Sequence, residues 1–330
     1  MSLPSDPDLG TIRFRPPIPY RKFRDRKWLH LFLFLLTLWT TTYVGVFNYL
    51  SYLGDFGRRS AETTLAGGLW YSLAILGILG AHEFGHYIMC RRYNVDASLP
   101  YFVPLLFPQS WGIPIQIGTL GAVIRIREAF PTRKALFDIG VAGPIAGFLV
   151  LLPLFFIGLA MSDVVTVPKN IPLINLGEPL LFKAGVWLMF GHVPAGSTVN
   201  MHPIVFACWF GMLATALNLL PFGQLDGGHI VYATRKAWSG PISIATVGLL
   251  LTMTLFTFSF LIFTFLLVAM LMIFGVRHPS VIYEDEPLPR NRYWVAAFAL
   301  AMLILCACPI PMEVIFPNAP TPPAASQPSK

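Results

Sequence analysis

Residues 65–92 read LAGGLWYSLAILGILGAHEFGHYIMCRR. The run from Leu65 to Cys90 is longer than the roughly 20 apolar residues that a helix needs to cross a bilayer. Near its carboxyl end, His82, Glu83 and His86 form the pattern H-E-x-x-H. Ionisable groups at membrane depth are costly and usually serve a function. This stretch therefore predicts a membrane-spanning helix that carries a site.

The composition supports a membrane protein throughout. Of 330 residues, 55% are hydrophobic and 12% are charged, whereas a soluble domain carries about a quarter charged residues. We predict an all-α polytopic fold of about seven spans in a lipid bilayer. The net charge of +7 is typical of basic cytoplasmic loops, and no stretch is long enough for a basic soluble module, so we expect no nucleic-acid partner. The four cysteines form no C-x-x-C pair and are expected to be free thiols.

The chain divides into five predicted segments. They are a basic cytoplasmic tail at 1–27 with no cleavable signal peptide, a first span and outside loop at 28–64, a core of three spans at 65–238, further spans at 239–311, and a disordered tail at 312–330. The apolar run 242–274 is too long for one span. We interpret it as a tight hairpin of two spans that turns near 257–259; the alternative is one long tilted helix with an interfacial extension.

The distribution of charge sets the topology. Counting seven spans puts the basic clusters on one side of the membrane, namely those at 13–27, 91–92, 125–134, 235–236 and 277–292. Because positive charge gathers on the cytoplasmic side, the amino end and the H-E-x-x-H are expected there. The carboxyl end is then expected outside.

Two parts of the core do not have the pattern of a spanning helix. In 93–134, the runs Ile113–Ile117 and Ala122–Arg127 flank Gly118–Gly121, which predicts a membrane-associated β-hairpin with its turn at the glycines. Irregular backbone at membrane depth must be covered by protein or line a cavity. In the outside loop 162–201, Glu178–Phe190 is too short to span and is expected to lie at the interface.

The H-E-x-x-H pattern is typical of a zinc site. Positions i and i+4 of a helix share one face, so His82 and His86 can bind one ion while Glu83 reaches a water molecule. A catalytic zinc has three protein ligands and one open position. Asp226 fits best as the third ligand, because it follows a span directed toward the cytoplasm. Asp138 is a minor candidate and is more simply an interface ion pair with its neighbours Arg133 and Lys134.

A second motif carries a family resemblance. Residues 218–227 read NLLPFGQLDG and resemble the N-x-x-P-x-x-x-L-D-G signature of the site-2 protease family of intramembrane zinc metalloproteases. The glycine-rich stretch 140–147 is similar to that family's middle core helix. The resemblance covers about 65–238, a three-helix catalytic core, and the 162–201 loop is too short for a PDZ domain. It therefore points to the PDZ-less branch of bacterial and plastid proteins.

The resemblance implies both residue roles and a location. It implies that His82, His86 and Asp226 bind Zn²⁺, that Glu83 is the catalytic acid and base, and that Asn218 lies close enough to stabilise an oxyanion. The expected activity is regulated intramembrane proteolysis of single-span or signal-anchor membrane proteins. The expected location is the bacterial cytoplasmic membrane.

Two further hypotheses concern substrate and function. A substrate helix must unwind before its peptide bond can be cut, and an unwound strand can add to the edge of a sheet. We therefore assign Val123, Ile124 and Ile126 to substrate binding. The alternative function is a membrane metal or proton transporter that uses the same His, Glu and Asp residues. It is disfavoured because transporters place polar residues in several spans, often with internal repeats.

Overall fold

The computed structural model of the protein describes residues 25–54, 61–107, 116–167, 173–256, 264, 281–284, 286–308 and 312–315. Helices in this part of the chain are α1 (Lys27–Leu53), α2 (Ala61–Arg92), α3 (Arg133–Ala160), α4 (Leu180–Phe190), α5 (Pro203–Leu219), α6 (Asp226–Phe256) and α7 (Arg290–Cys306). Strands are β1 (Tyr101–Pro104), β2 (Thr119–Val123), β3 (Asp163–Thr166), β4 (Leu173–Leu176), β5 (Ser197–Asn200) and β6 (Met312–Ile315). The protein is mostly helical, as predicted.

Four of these helices are long and apolar enough to cross a membrane: α1, α2, α3 and α6. Helices α4 and α5 are apolar but shorter, and α4 covers the expected interfacial stretch 178–190 except for its first two residues. Length and composition thus support a polytopic membrane protein with four candidate spans among the described residues, fewer than the seven expected. Most of the proposed hairpin at 242–274 beyond Phe256, and the basic tail before Asp25, lie outside those residues.

The second strand of the predicted β-hairpin pairs with a strand other than the expected one. Strand β2 pairs antiparallel with β1, with Tyr101 opposite Val123 and Phe102 opposite Ala122, and the ladder continues as a bridge between Ala97 and Ile126. The turn expected at 118–121 is wrong, because Thr119–Val123 is itself a strand. Residues 113–115 of the expected first strand lie outside the described residues. Alternating patterns identify strands, but the choice of partner depends on contacts that spacing alone does not encode.

Hydroxyl groups of two helices anchor this non-helical segment. Thr40 of α1 donates to the carbonyl of Gly118 at 2.6 Å, and Tyr71 of α2 donates to the carbonyl of Ile117 at 2.8 Å. An unpaired carbonyl away from water would cost several kcal/mol, so irregular backbone at membrane depth needs such partners. Helices α1 and α2 therefore fix the position at which the chain enters β2.

Helix α6 reverses direction at a kink. Arg235 has the non-helical angles φ −143° and ψ 78°. In a straight helix Ser243 would lie about 25 Å from Asp226, yet its Oγ accepts a hydrogen bond from the backbone of Gly223 at 3.2 Å. The segment after the kink therefore folds back along the loop before Asp226. We expected a break in the helix over 222–229, but α6 already begins at Asp226, so the break is shorter than expected.

Two short sheets, each of two strands, join segments that lie between or after the helices. Strand β3 pairs with β5, and β4 pairs with β6. Because β6 occupies Met312–Ile315, the expectation of disorder throughout 312–330 is wrong for these four residues; the rest of that tail lies outside the described residues. The chain after α7 thus returns to the loop between α3 and α5.

Asp138 pairs with the last helix, contrary to expectation. Its carboxylate accepts hydrogen bonds from Arg292 at 2.9 and 3.1 Å and from the Tyr93 hydroxyl at 2.5 Å. We expected Arg133 and Lys134 as partners; Lys134 is close enough to interact electrostatically, but Arg133 is directed toward α6 instead. A two-pronged guanidinium contact to a carboxylate is geometrically specific, and this one joins α7 to the core helix α3.

Candidate metal centre

Two histidines on one turn of α2 begin the site. His82 and His86 are both buried, and their Nε2 atoms lie 3.0 Å apart. The i, i+4 spacing places the two rings on one helix face, as the sequence predicts. The Nδ1 atom of His86 lies 2.7 Å from the carbonyl oxygen of Ile139 on α3, so that nitrogen donates and Nε2 presents a lone pair.

Asp226, the first residue of α6, completes the group. Its Oδ2 lies 3.2 Å from Nε2 of His82, and its Oδ1 lies 3.3 Å from Nε2 of His86. The loop before α6 closes tightly on α5: a Cβ on Gly227 would lie 2.1 Å from the carbonyl oxygen of Leu219. The absence of a side chain at 227 therefore lets Asp226 approach the histidines from the adjoining helix.

These three side chains are placed to hold one metal ion. The two Nε2 atoms lie 3.0 Å apart, each faces a different oxygen of the Asp226 carboxylate at 3.2 or 3.3 Å, and one ligand atom from each residue lies within 4.8 Å of the others. Three lone-pair donors so close together repel each other unless a cation or shared protons lie between them. Among the described residues, no other group of three His, Cys, Asp or Glu side chains is placed to hold a metal.

Helix α3 packs directly against the two histidines. A Cβ on Gly143 would lie 2.1 Å from Nε2 of His86, far closer than van der Waals contact with the imidazole ring allows. On the facing helix, a Cβ on Gly85 would lie 2.5 Å from the carbonyl oxygen of Ala142. Small residues allow membrane helices to approach closely. The glycine stretch at 140–147 thus has a defined use, which is to admit the histidine rings.

Glu83 and Asn218 flank the three ligands. Glu83 is buried, and its carboxyl group lies near the backbone of Ile124. The side-chain amide of Asn218 on α5 lies 3.4 Å from Nε2 of His82. The structure therefore brings all five of these predicted site residues together: His82, Glu83, His86, Asn218 and Asp226. The minor candidate, Asp138, is held by Arg292 and Tyr93 instead.

The strand that continues β2 passes over Glu83. The backbone N–H and C=O of Arg125 both bond to Ser98. In a strand the backbone groups of consecutive residues face opposite edges, so those of Ile124 and Ile126 face the other edge, which we call the outer edge. The backbone of Ile124 lies near Glu83 there. Val123 is 54% exposed and lies opposite Tyr101. Of the three residues assigned to substrate binding, Ile124 is the one placed near Glu83.

Sequence reasoning missed two groups that hold the site. The carbonyl of Ile139 orients His86, and Arg133 donates to the carbonyl of Ala233 at 2.7 and 3.1 Å. Ala233 lies just before the kink at Arg235, where the helix leaves carbonyls without their usual partners. The contact joins residues 100 positions apart, so no local spacing could have indicated it.

Comparisons with known proteins agree with this geometry. The model for peptidase family M50 matches residues 70–262, more than half of the chain. "Probable zinc metalloprotease EGY2, chloroplastic" of Oryza sativa subsp. indica is 30% identical over 256 residues, covering 76% of this chain and 44% of that protein. "Probable zinc metalloprotease EGY1, chloroplastic" of Arabidopsis thaliana is 35% identical over 164 residues, covering 48% of this chain and 28% of that protein.

The chain thus spans less than half the length of these curated relatives. No solved structure matches it significantly. The family match covers the H-E-x-x-H of α2, the glycines of α3 and Asp226 at the start of α6, and it confirms the resemblance seen in the sequence. This protein belongs to peptidase family M50.

Proposed function

We propose that this protein is a zinc endopeptidase that cuts peptide bonds within or next to the transmembrane segments of other membrane proteins. The observation that carries this function is the convergence of His82, His86 and Asp226 to within 4.8 Å, with Glu83 beside them in a helix of membrane-spanning length. The names of the relatives, which are zinc metalloproteases, support the same reaction.

The roles of the residues follow from their positions. In such a site a bound zinc ion polarises a carbonyl group and acidifies a water molecule. The Glu83 carboxylate, one residue from His82, takes the proton of the attacking water and later gives it to the leaving amine. Asn218 presents an amide N–H beside His82, where it can donate to the oxygen of the scissile carbonyl as negative charge develops.

We propose further that the substrate lies as an extended strand against the outer edge at Ile124 and Ile126. The closeness of the Ile124 backbone to Glu83 supports this, because it places the outer strand edge within reach of the proposed base. A substrate that pairs with this edge would bring its own backbone to Glu83. Strand addition also satisfies the polar groups that an unwound helix exposes at membrane depth.

The complete topology is proposed as seven spans. Thr254 and Thr264 are 2.6 Å apart between their Oγ1 atoms, although ten residues of helix would separate them by about 15 Å, and this closeness supports the expected hairpin of two spans. Glu284 bonds to Tyr232 at 2.7 Å and to Lys236, which supports a return to the side where α6 kinks.

The count of seven spans also determines on which side of the membrane the amino and carboxyl ends lie. The pairing of β6 with β4 supports a carboxyl end on the same side as the loop after α3, so we place the amino end and the metal centre toward the opposite, cytoplasmic side. The bacterial cytoplasmic membrane stays a prediction, since the relatives compared above are plant chloroplast proteins.

Reconstitution tests the proposed function. The whole chain, placed in vesicles with a single-span substrate, is expected to cleave it. Glu83→Gln should retain zinc but lose activity by about 100-fold or more, because a general base contributes that much. A chelator should abolish cleavage, and added zinc should restore it. Cleavage that survives both the substitution and the chelator would refute the proposal.

A further inference from the structure

A cavity of about 570 Å³ lies at the end of the strand that continues β2. Its lining includes Arg125, Ile126 and Arg127 of that strand and Asp25 and Arg26 just before α1. The metal centre does not use any of these residues. The cavity lies beside the amino end of α1, on the side that the charge distribution assigns to the cytoplasm.

The cavity has an excess of positive charge. Arg127 is already neutralised, because its guanidinium group pairs with Asp25 and, at 3.3 Å, with Asp96. Arg26 and Arg125 are both exposed, and neither has an ion pair within the described part of the chain. Two guanidinium groups therefore remain to attract an anionic group.

The cavity and the proposed base share one strand edge. Ile126 lines the cavity, and the backbone of Ile124, two residues earlier, lies near Glu83. Both present their backbone groups to the outer edge. A strand rises about 3.3 Å per residue, so the cavity begins about 7 Å along this edge from Ile124. A chain extended on the edge would reach the cavity about two residues after the bond being cut.

We propose that this cavity, the arginine subsite, binds an acidic side chain of the substrate. The acidic residue lies two to four positions from the cleaved bond, on its cytoplasmic side. The subsite rests on the proposed function, since it presumes a peptide on the edge at Ile124. Arg26 and Arg125 supply the attraction, and the pair of Arg127 with Asp25 joins two other residues of the lining.

A substrate series with Glu, Gln or Lys at each of these positions tests the subsite. Wild-type enzyme is expected to cleave the Glu substrate about two- to fivefold faster than the Gln substrate in kcat/KM, in line with a partly exposed charge pair, and the Lys substrate more slowly still. Arg125→Glu should reverse the order of the Glu and Lys substrates. Arg92→Glu, an exposed arginine at the end of α2 outside the cavity lining, is the matched control and should keep the wild-type order.

Three results would overturn the subsite. They are an unchanged order in Arg125→Glu, the same reversal in Arg92→Glu, and a preference that follows the anionic lipid content of the vesicles, which would assign the arginines to lipid headgroups. Binding of the same peptides to zinc-loaded Glu83→Gln, measured by fluorescence anisotropy, should show the same preference for Glu. If that preference appears while wild-type enzyme cleaves no substrate, the proposed function fails and the subsite stands.

Discussion

The guanidinium group of Arg133 clamps the carbonyl oxygen of Ala233, with Nη2 at 2.7 Å and Nε at 3.1 Å. Arg133 begins α3, which also carries the Ile139 carbonyl bonded to His86. Ala233 lies two residues before the kink at Arg235, in the helical segment that starts with Asp226. One side chain thus connects the helix that supports a histidine to the segment that carries the carboxylate.

Replacement of Arg133 by Gln should therefore weaken metal binding without removing a ligand. Losing the clamp leaves the Ala233 carbonyl without its charged donors, at a cost of about 1–3 kcal/mol, and frees the segment that begins at Asp226. Zinc affinity, measured by competition with a chelator, is expected to fall by roughly 5- to 100-fold. Arg290→Gln, on an exposed arginine at the start of α7, serves as the control. Equal affinities in the two variants would contradict the clamp.

A single methyl group at Gly143 should exclude the metal. In Gly143→Ala the new Cβ would overlap the His86 ring at 2.1 Å from Nε2, so the ring must leave its position. We expect loss of bound zinc, measured by atomic absorption, and loss of cleavage. Gly248→Ala provides the comparison, because a Cβ there meets nothing within 4 Å and its zinc content should match wild type. Normal zinc content in Gly143→Ala would show that the ring does not need this space.

The substrate-edge hypothesis is tested at Ile124. Ile124→Pro removes the backbone N–H while leaving the inner bonds of Arg125 to Ser98 in place. Cleavage should fall at least tenfold, about one lost hydrogen bond, with zinc content unchanged. Ile124→Ala retains the N–H and should remain close to wild type. If the proline and alanine variants cleave equally well, the edge does not hold the substrate.

The anchor at Tyr71 should contribute to stability. Tyr71→Phe removes the hydroxyl that donates to the Ile117 carbonyl at 2.8 Å and leaves that carbonyl unpaired in a buried site. The expected loss in the free energy of unfolding is about 1–2 kcal/mol, seen as a lower thermal midpoint in detergent. Tyr43→Phe, on a tyrosine of α1 that is 41% exposed, should change the midpoint little. The anchor would be discounted if both variants unfolded at the wild-type temperature.

Local patterns predicted those parts of the protein that depend on residues close together in the chain. The long apolar runs predicted helices α1, α2 and α3, because crossing a bilayer requires an uninterrupted apolar helix. The spacing of His82 and His86 placed both rings on one helix face, since i and i+4 are neighbours there. Asp226 was found by its position after a break at the end of α5, and the structure brings it to the histidines.

Tertiary structure decided how these parts fit together. Spacing could not choose β1 as the partner of β2, and it could not show that Arg292 rather than Arg133 pairs with Asp138. The reversal of α6 at Arg235 and the clamp from Arg133 depend on hydrogen bonds between residues about 20 and 100 positions apart. Such bonds form because buried carbonyl and carboxylate groups must find partners once water is excluded, and the nearest donor is set by packing rather than by sequence order.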